Sequence, residues 1–174
     1  MKRRHLVLST GAAVAVGAGI ATAVLRRTPA TAPNAQGSAE FQTEFERPSG
    51  GKLVLADFRG KPLLLNFWAT WCAPCVREMP LLDRFASEQQ AAGWQVVGLA
   101  IDRVEPVREF LVKHPVGYPI GIAGIDALGW VRALGNTGGG LPFSVAYDSA
   151  GSLRERKLGE ISTQELAAWT VEVR

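Results

Sequence analysis

The stretch Phe67-Trp68-Ala69-Thr70-Trp71-Cys72-Ala73-Pro74-Cys75 decides how the rest of this 174-residue chain is read. Its first two residues end the apolar run Leu63-Leu64-Leu65-Asn66-Phe67-Trp68, of the kind buried on both faces of a sheet. A helical pattern follows over residues 73–92, with Val76, Met79, Leu82 and Phe85/Ala86 on one side and Arg77, Asp83, Arg84 and Glu88 elsewhere. Pro80 is expected to kink that helix and Gly93 to close it. The two cysteines therefore stand where a buried strand gives way to a helix. Two thiols separated by two residues on a helix's first turn can close a small ring as a disulfide. The first meets the unpaired N–H groups and the positive dipole end, which favour a thiolate. Thiol–disulfide exchange needs that arrangement: a stabilised nucleophile that also leaves well, and a second thiol to resolve the mixed disulfide. Ala73 and Pro74 suit the first turn, where the N–H that Pro lacks would be unpaired anyway.

Other uses of two cysteines fit less well. A structural disulfide usually ties distant segments together. A zinc half-site needs two further ligands, yet the only histidines are His5, near the N-terminus, and His114, whose Lys-His-Pro setting reads as surface. Haem attachment needs a His after the second cysteine, where Val76 stands. The motif calls for neither a metal nor a cofactor.

Outward from the motif, strand and helix signals alternate. Residues 52–56 read as a short strand after the turn Pro48-Ser49-Gly50-Gly51, residues 95–101 as a second buried strand, and residues 104–113 as a second helix. Residues 126–134 form a short third helix. Residues 143–147 and 153–158, joined by Asp148-Ser149-Ala150-Gly151, read as a hairpin. A last helix starts at Ser162 or Thr163, with Glu165 placed as a capping partner, and runs to about residue 171. Strands and helices mixed in this way give an α/β domain with a central sheet.

The N-terminus is of another character. Leu6 to Leu25 is an uncharged run of 20 residues, enough to span a bilayer's hydrocarbon at ~1.5 Å per residue, although Gly11, Gly17, Gly19, Ser9, Thr10 and Thr22 dilute it. Lys2, Arg3 and Arg4 precede it and favour a cytoplasmic N-terminus with the C-terminal domain across the membrane. Ala21-Thr22-Ala23 has the small-x-small form of a signal-peptidase site, and the run after Arg3-Arg4 resembles a twin-arginine export signal. Residues 1–27 are thus expected to be a signal peptide or membrane anchor, residues 28–40 a Thr/Pro/Ala-rich linker, and residues 41–174 the globular domain. Residues 1–27 carry five basic side chains and no acid, which leaves the rest of the chain at −2 of a net +3. The basic pI, near 9.1, therefore belongs to the leader and does not argue for nucleic-acid binding.

Residues 67–75 resemble the active-site signature of thioredoxin-like proteins, and residues 41–174 resemble the TlpA/ResA-like thiol–disulfide oxidoreductase branch of that family. Supporting features are Ala56-Asp57-Phe58-Arg59-Gly60-Lys61-Pro62 before the strand, Glu78-Met79-Pro80 after the motif, and Gly140-Leu141-Pro142-Phe143 before the hairpin. The resemblance implies a thioredoxin fold, a mixed central sheet flanked by helices. It implies Cys72 as nucleophile, Cys75 as resolving thiol, and a redox disulfide between them. It also makes Leu141-Pro142 a cis peptide facing the disulfide, able to receive an extended substrate backbone.

At the position of thioredoxin's buried Asp this chain has Asn66, which does not titrate. The branch places an acid after the next strand, here Asp102, as a proton carrier; a helix cap is the competing reading, and Glu105 is a weaker stand-in. Trp68 and Trp71 are expected to pack around the thiols and limit water, Trp68 as a core residue. The function expected is an exported reductase of disulfides in periplasmic client proteins, apocytochrome c among them, resupplied by a membrane or periplasmic dithiol donor. A dithiol oxidase or isomerase uses the same motif in the other direction. A metal-handling module on this fold would need a His or Met ligand near the pair, and neither Met79 nor His114 fits that part.

Overall fold

The computed structural model describes residues 41–173. The expected leader (residues 1–27) and linker (residues 28–40) lie outside the described residues. Seven strands form one sheet: β1 (Glu44–Glu46), β2 (Lys52–Val54), β3 (Leu63–Trp68), β4 (Gln95–Ala100), β5 (Ile120–Ile122), β6 (Phe143–Tyr147) and β7 (Leu153–Leu158). Their spatial order is β2-β1-β5-β4-β3-β6-β7, with β3, β4 and β5 parallel and the other pairings antiparallel. The helices are α1 (Ala73–Gln89), α2 (Val104–Lys113), α3 (Leu128–Ala133) and α4 (Thr163–Glu172).

The central strand β3 is buried at all six positions, and its side chains alternate between two cores. Leu64 and Trp68 join Met79, Leu82 and Phe85 of α1, Val107 of α2, and Leu166 and Trp169 of α4. Leu63, Leu65 and Phe67 join Phe45, Val97, Leu99, Val145 and Val131 of α3 on the other face. A strand covered on both sides has no polar face to show, hence its continuous apolar run. Close packing shows at Gly98 of β4, where an added Cβ would lie 2.5 Å from Ile120 Cδ1 and 3.2 Å from Trp68 Nε1. Gly93, in the left-handed conformation with φ 91°, ends the turn that follows α1.

Most elements stand where the sequence puts them. The strand expected over 52–56 ends at Val54, because Leu55–Phe58 turn into a 3₁₀ helix that drops Leu55 into the core. Two three-residue strands, β1 and β5, carried too short a pattern to read. The capping expectation holds in full: Ser162 and Glu165 exchange side-chain and backbone hydrogen bonds at the start of α4.

Candidate active site

The carboxyl ends of β3 and β4 and the start of β6 converge on one edge of the sheet. The Thr70-Trp71 turn, Asp102 and Pro142 belong to those ends. After Trp68 the chain turns through Cys72 N–H to the Ala69 carbonyl (3.2 Å) and starts α1 with Cys72 as N-cap. Cys72 and Cys75 are joined, with an S–S distance of 2.04 Å. The Cys75 N–H donates to Cys72 Sγ at 3.3 Å, so a helix-terminal donor is aimed at the sulfur that would carry the thiolate. Cys72 keeps 6% of its surface and Cys75 none, an order that suits an attacking and a resolving sulfur. Pro74 occupies the first turn, as expected.

The Leu141-Pro142 peptide is cis. Phe143 pairs with Phe67, which sets Pro142 beside the end of β3, and the Pro142 carbonyl is held by the Gly159 N–H (2.9 Å). Leu141 packs, half-buried, against the cluster that contains both cysteines. Trp71 departs from expectation. It is 70% exposed, just ahead of the N-cap, while Trp68 fills the core beneath. His114 is exposed and lies against the Phe110 ring.

Asp102 braces the loop. Its Oδ2 accepts from the Thr70 N–H (3.1 Å) and the Thr70 hydroxyl (2.5 Å), and its Oδ1 accepts from the Arg103 N–H (2.8 Å). The N-cap of α2 is Arg103, with no side-chain cap, so Asp102 ties the cysteine loop to β4 instead of capping α2 through a side-chain bond. Glu105 is exposed on the first turn of α2.

The acid that the sequence reading passed over is Glu78. It lies three residues after Cys75 on the same face of α1 and is 3% exposed. Its Oε1 accepts from Asn66 Nδ2 (2.7 Å) and its Oε2 from the Ile161 N–H (2.9 Å). Burial pushes the carboxyl up from its ordinary 4.5 to about 7; the two hydrogen bonds pull it back, and the nearby Glu160 charge adds to the rise. Asn66 also reaches Ser144 Oγ (3.0 Å), its register partner on β6. A signal for Glu78 was present: it falls on the stripe Cys75, Met79, Leu82, Phe85, where a charged residue stands out. Val76, assigned to that stripe from the sequence, is only half-buried.

Comparison with known proteins places this geometry. The family model described as Redoxin matches residues 30–169. The thiol-disulfide oxidoreductase ResA of Bacillus cereus is 31% identical over 122 residues, 69% of this chain and 68% of that protein. Among solved structures, Mycobacterium tuberculosis dsbF in mixed oxidised and reduced forms superposes with a TM-score of 0.64 at 26% identity, covering 76% of this chain and 96% of that one. A secreted M. tuberculosis disulfide oxidoreductase homologous to E. coli DsbE gives 0.62 at 25% identity, covering 76% and 97%. The cysteine pair at the head of α1 is a redox-active pair, and the chemistry of the site is thiol–disulfide exchange.

Proposed function

The chain belongs to the Redoxin family, with ResA-type thiol–disulfide oxidoreductases among its relatives, and we propose that it reduces disulfides of exported client proteins. The observation that carries the reading is the Cys72–Cys75 pair set over a buried acid, one cysteine keeping 6% of its surface and the other, wholly buried, one turn from Glu78. In the reduced protein the Cys72 thiolate attacks one sulfur of the client disulfide. That S–S bond breaks, the Cys72–client bond forms, and the first client sulfur leaves as thiolate. Glu78 takes the Cys75 proton. The Cys75 thiolate then attacks Cys72 Sγ, closes the internal disulfide and expels the second client thiolate, so two electrons pass from the dithiol to the client. Glu78 passes its proton to the departing thiolate or to water. Asp102 holds the loop while this happens, and Leu141, ahead of the cis Pro142, offers a backbone edge for an extended client segment.

The setting proposed is the periplasmic side of a membrane. Residues 1–27 serve as signal or anchor, residues 28–40 as linker and residues 41–174 as the working domain, recharged by a membrane or periplasmic dithiol. The basic start, the apolar run and the secreted relative support this.

The test is mechanism-based trapping. Cys75→Ser should accumulate mixed disulfides with clients and Cys72→Ser should not, because only the outer sulfur attacks. Equal trapping by both variants would reverse or remove the assignment. Equilibration against glutathione reads the direction: a potential near that of thioredoxin, about −270 mV, supports a reductase, and one near −120 mV an oxidase.

A further inference from the structure

Glu78 is buried, yet the reading above asks it to exist both as carboxylate and as neutral acid. Each form needs a different partner. The carboxylate accepts two hydrogen bonds, from Asn66 Nδ2 at 2.7 Å and the Ile161 N–H at 2.9 Å. The neutral acid carries an O–H that needs an acceptor, since an unmade bond in a dry site is costly. The Ile161 N–H is main chain and always a donor, so it cannot supply one. Asn66 is different, because its amide carries a donor and an acceptor on one rotatable group. In this structure its Nδ2 makes both bonds, to Glu78 and to Ser144 Oγ at 3.0 Å, while its Oδ1 is buried with no partner. That is the orientation a carboxylate selects, and it leaves the amide's acceptor idle.

We propose that the Asn66 side chain is a positioning residue whose amide turns over with the charge of Glu78. When Glu78 is ionised, Nδ2 faces it. When Glu78 binds a proton, the amide rotates by half a turn, Oδ1 accepts the Glu78 O–H, and the Ser144 hydroxyl becomes donor to the same oxygen. Ser144 serves both orientations because a hydroxyl rotates and both donates and accepts. Without the rotation, the acid O–H would meet an N–H donor. With it, the unpartnered group changes from carbonyl to amide and no further group is stranded. The proton is therefore held on Oε1, the oxygen toward Asn66, while Oε2 stays bound to Ile161 in both states. A carboxylate at position 66 would lack this reversal, since it offers no N–H and brings a second titrating charge next to Glu78.

The inference rests on Glu78 as the proton carrier and deepens that reading. The other charged group acting on Glu78 is Glu160 of the loop before α4, which is paired with Arg77, while Cys75 and Cys72 at the head of the same helix are joined as a disulfide. Tyr118, just before β5, is buried, and the charge of Glu78 acts on its hydroxyl. None of these is a reversible amide, and among the described residues Asn66 alone bonds Glu78 through one.

The experiment uses the oxidised full-length chain in detergent micelles, so that the cysteines do not titrate. The carboxyl carbon of Glu78 and the side-chain amide of Asn66 are followed by NMR from pH 5 to pH 9. The expected result is a Glu78 titration accompanied by a change in the Asn66 amide contacts: its Hδ2 protons lie near Ser144 at high pH and away from it at low pH, with the same midpoint. Glu78 titrating while the Asn66 contacts stay constant would overturn the inference and leave the proton-carrier reading intact. Glu78 failing to titrate in this range would overturn both. A second measurement is the Asn66→Ala variant, in which both forms of Glu78 lose a bond, so the Glu78 midpoint should rise by less than about one pH unit. A rise well beyond that, as expected of an Asn66 that serves the carboxylate alone, would also overturn it.

Discussion

Two carboxylates serve the cysteine-bearing turn in opposite ways. Asp102, at the end of β4, is half-buried and accepts three hydrogen bonds, two of them from main-chain N–H groups and one from the Thr70 hydroxyl. Such an acid spends its lone pairs on holding a loop. Glu78, on the inner face of α1, is 3% exposed and accepts two, so burial outweighs its partners and its carboxyl sits at about 7. The difference lies in environment, not in residue type. An acid poised near the working pH exchanges a proton readily, and one tied to a loop by three hydrogen bonds serves as a strut.

The largest expected effect separates the two acids by rate. Glu78→Gln should slow resolution of the mixed disulfide by about 10²- to 10³-fold at pH 7 and flatten the rise of rate with pH, which in the natural protein should bend near 7. Stopped-flow reduction of a fluorescent mixed disulfide reads both. Asp102→Ala should leave the bend in place. If Asp102→Ala flattened the profile and Glu78→Gln did not, the roles would be exchanged.

The next effect is on stability. The carboxyl of Glu78 is raised in the fold from 4.5 to about 7, so the native state binds the proton more tightly than the unfolded chain. Its contribution is fully present below pH 4.5 and is lost as pH rises through 7. Denaturant unfolding of the oxidised protein should therefore show stability falling between pH 5 and 8, whereas Glu78→Gln should be nearly flat. Relative to the natural protein, the variant should therefore gain about 3 kcal/mol between pH 4 and pH 8. Parallel curves for the two proteins would mean that Glu78 is not poised by burial.

The same contrast explains what could be read from the sequence. Leu63–Trp68, the cysteine motif, α2, the β6–β7 hairpin and the cap at Ser162 each carry a local signal, a period or a turn residue, and each stands where that signal puts it. Asp102 was legible as a position, because an acid just past an apolar strand is conspicuous. Its partners were not, since Thr70 lies 32 residues away and meets it only through the pairing of β3 with β4. Glu78 was harder still. A glutamate in a helix normally reads as solvated, and what buries this one is the Ile161 turn, 83 residues later, together with Asn66. Trp71 differs in the other sense: an aromatic residue beside a cysteine suggests a packed ring, yet this one is 70% exposed.

The smallest effects concern the strut. Asp102→Ala strands two loop N–H groups and the Thr70 hydroxyl at a half-buried site, where water replaces part of what is lost. The cost should be about 2 kcal/mol, with exchange slowed by no more than about threefold. Thr70→Val is the finer probe. It keeps the β-branched shape and the main-chain N–H bond to Oδ2, and removes only the hydroxyl donor at 2.5 Å. Asp102 retains two donors and some solvent contact, so the loss should be about 1 kcal/mol. The bend of the rate profile near 7 should be untouched, because Glu78 has no bond to Thr70. Thermal unfolding and the pH profile, measured on the same variant, test both halves. A normal unfolding curve with a displaced bend would mean that the strut reaches the proton carrier electrically, and the division of labour between the two acids would fail at its cheapest test.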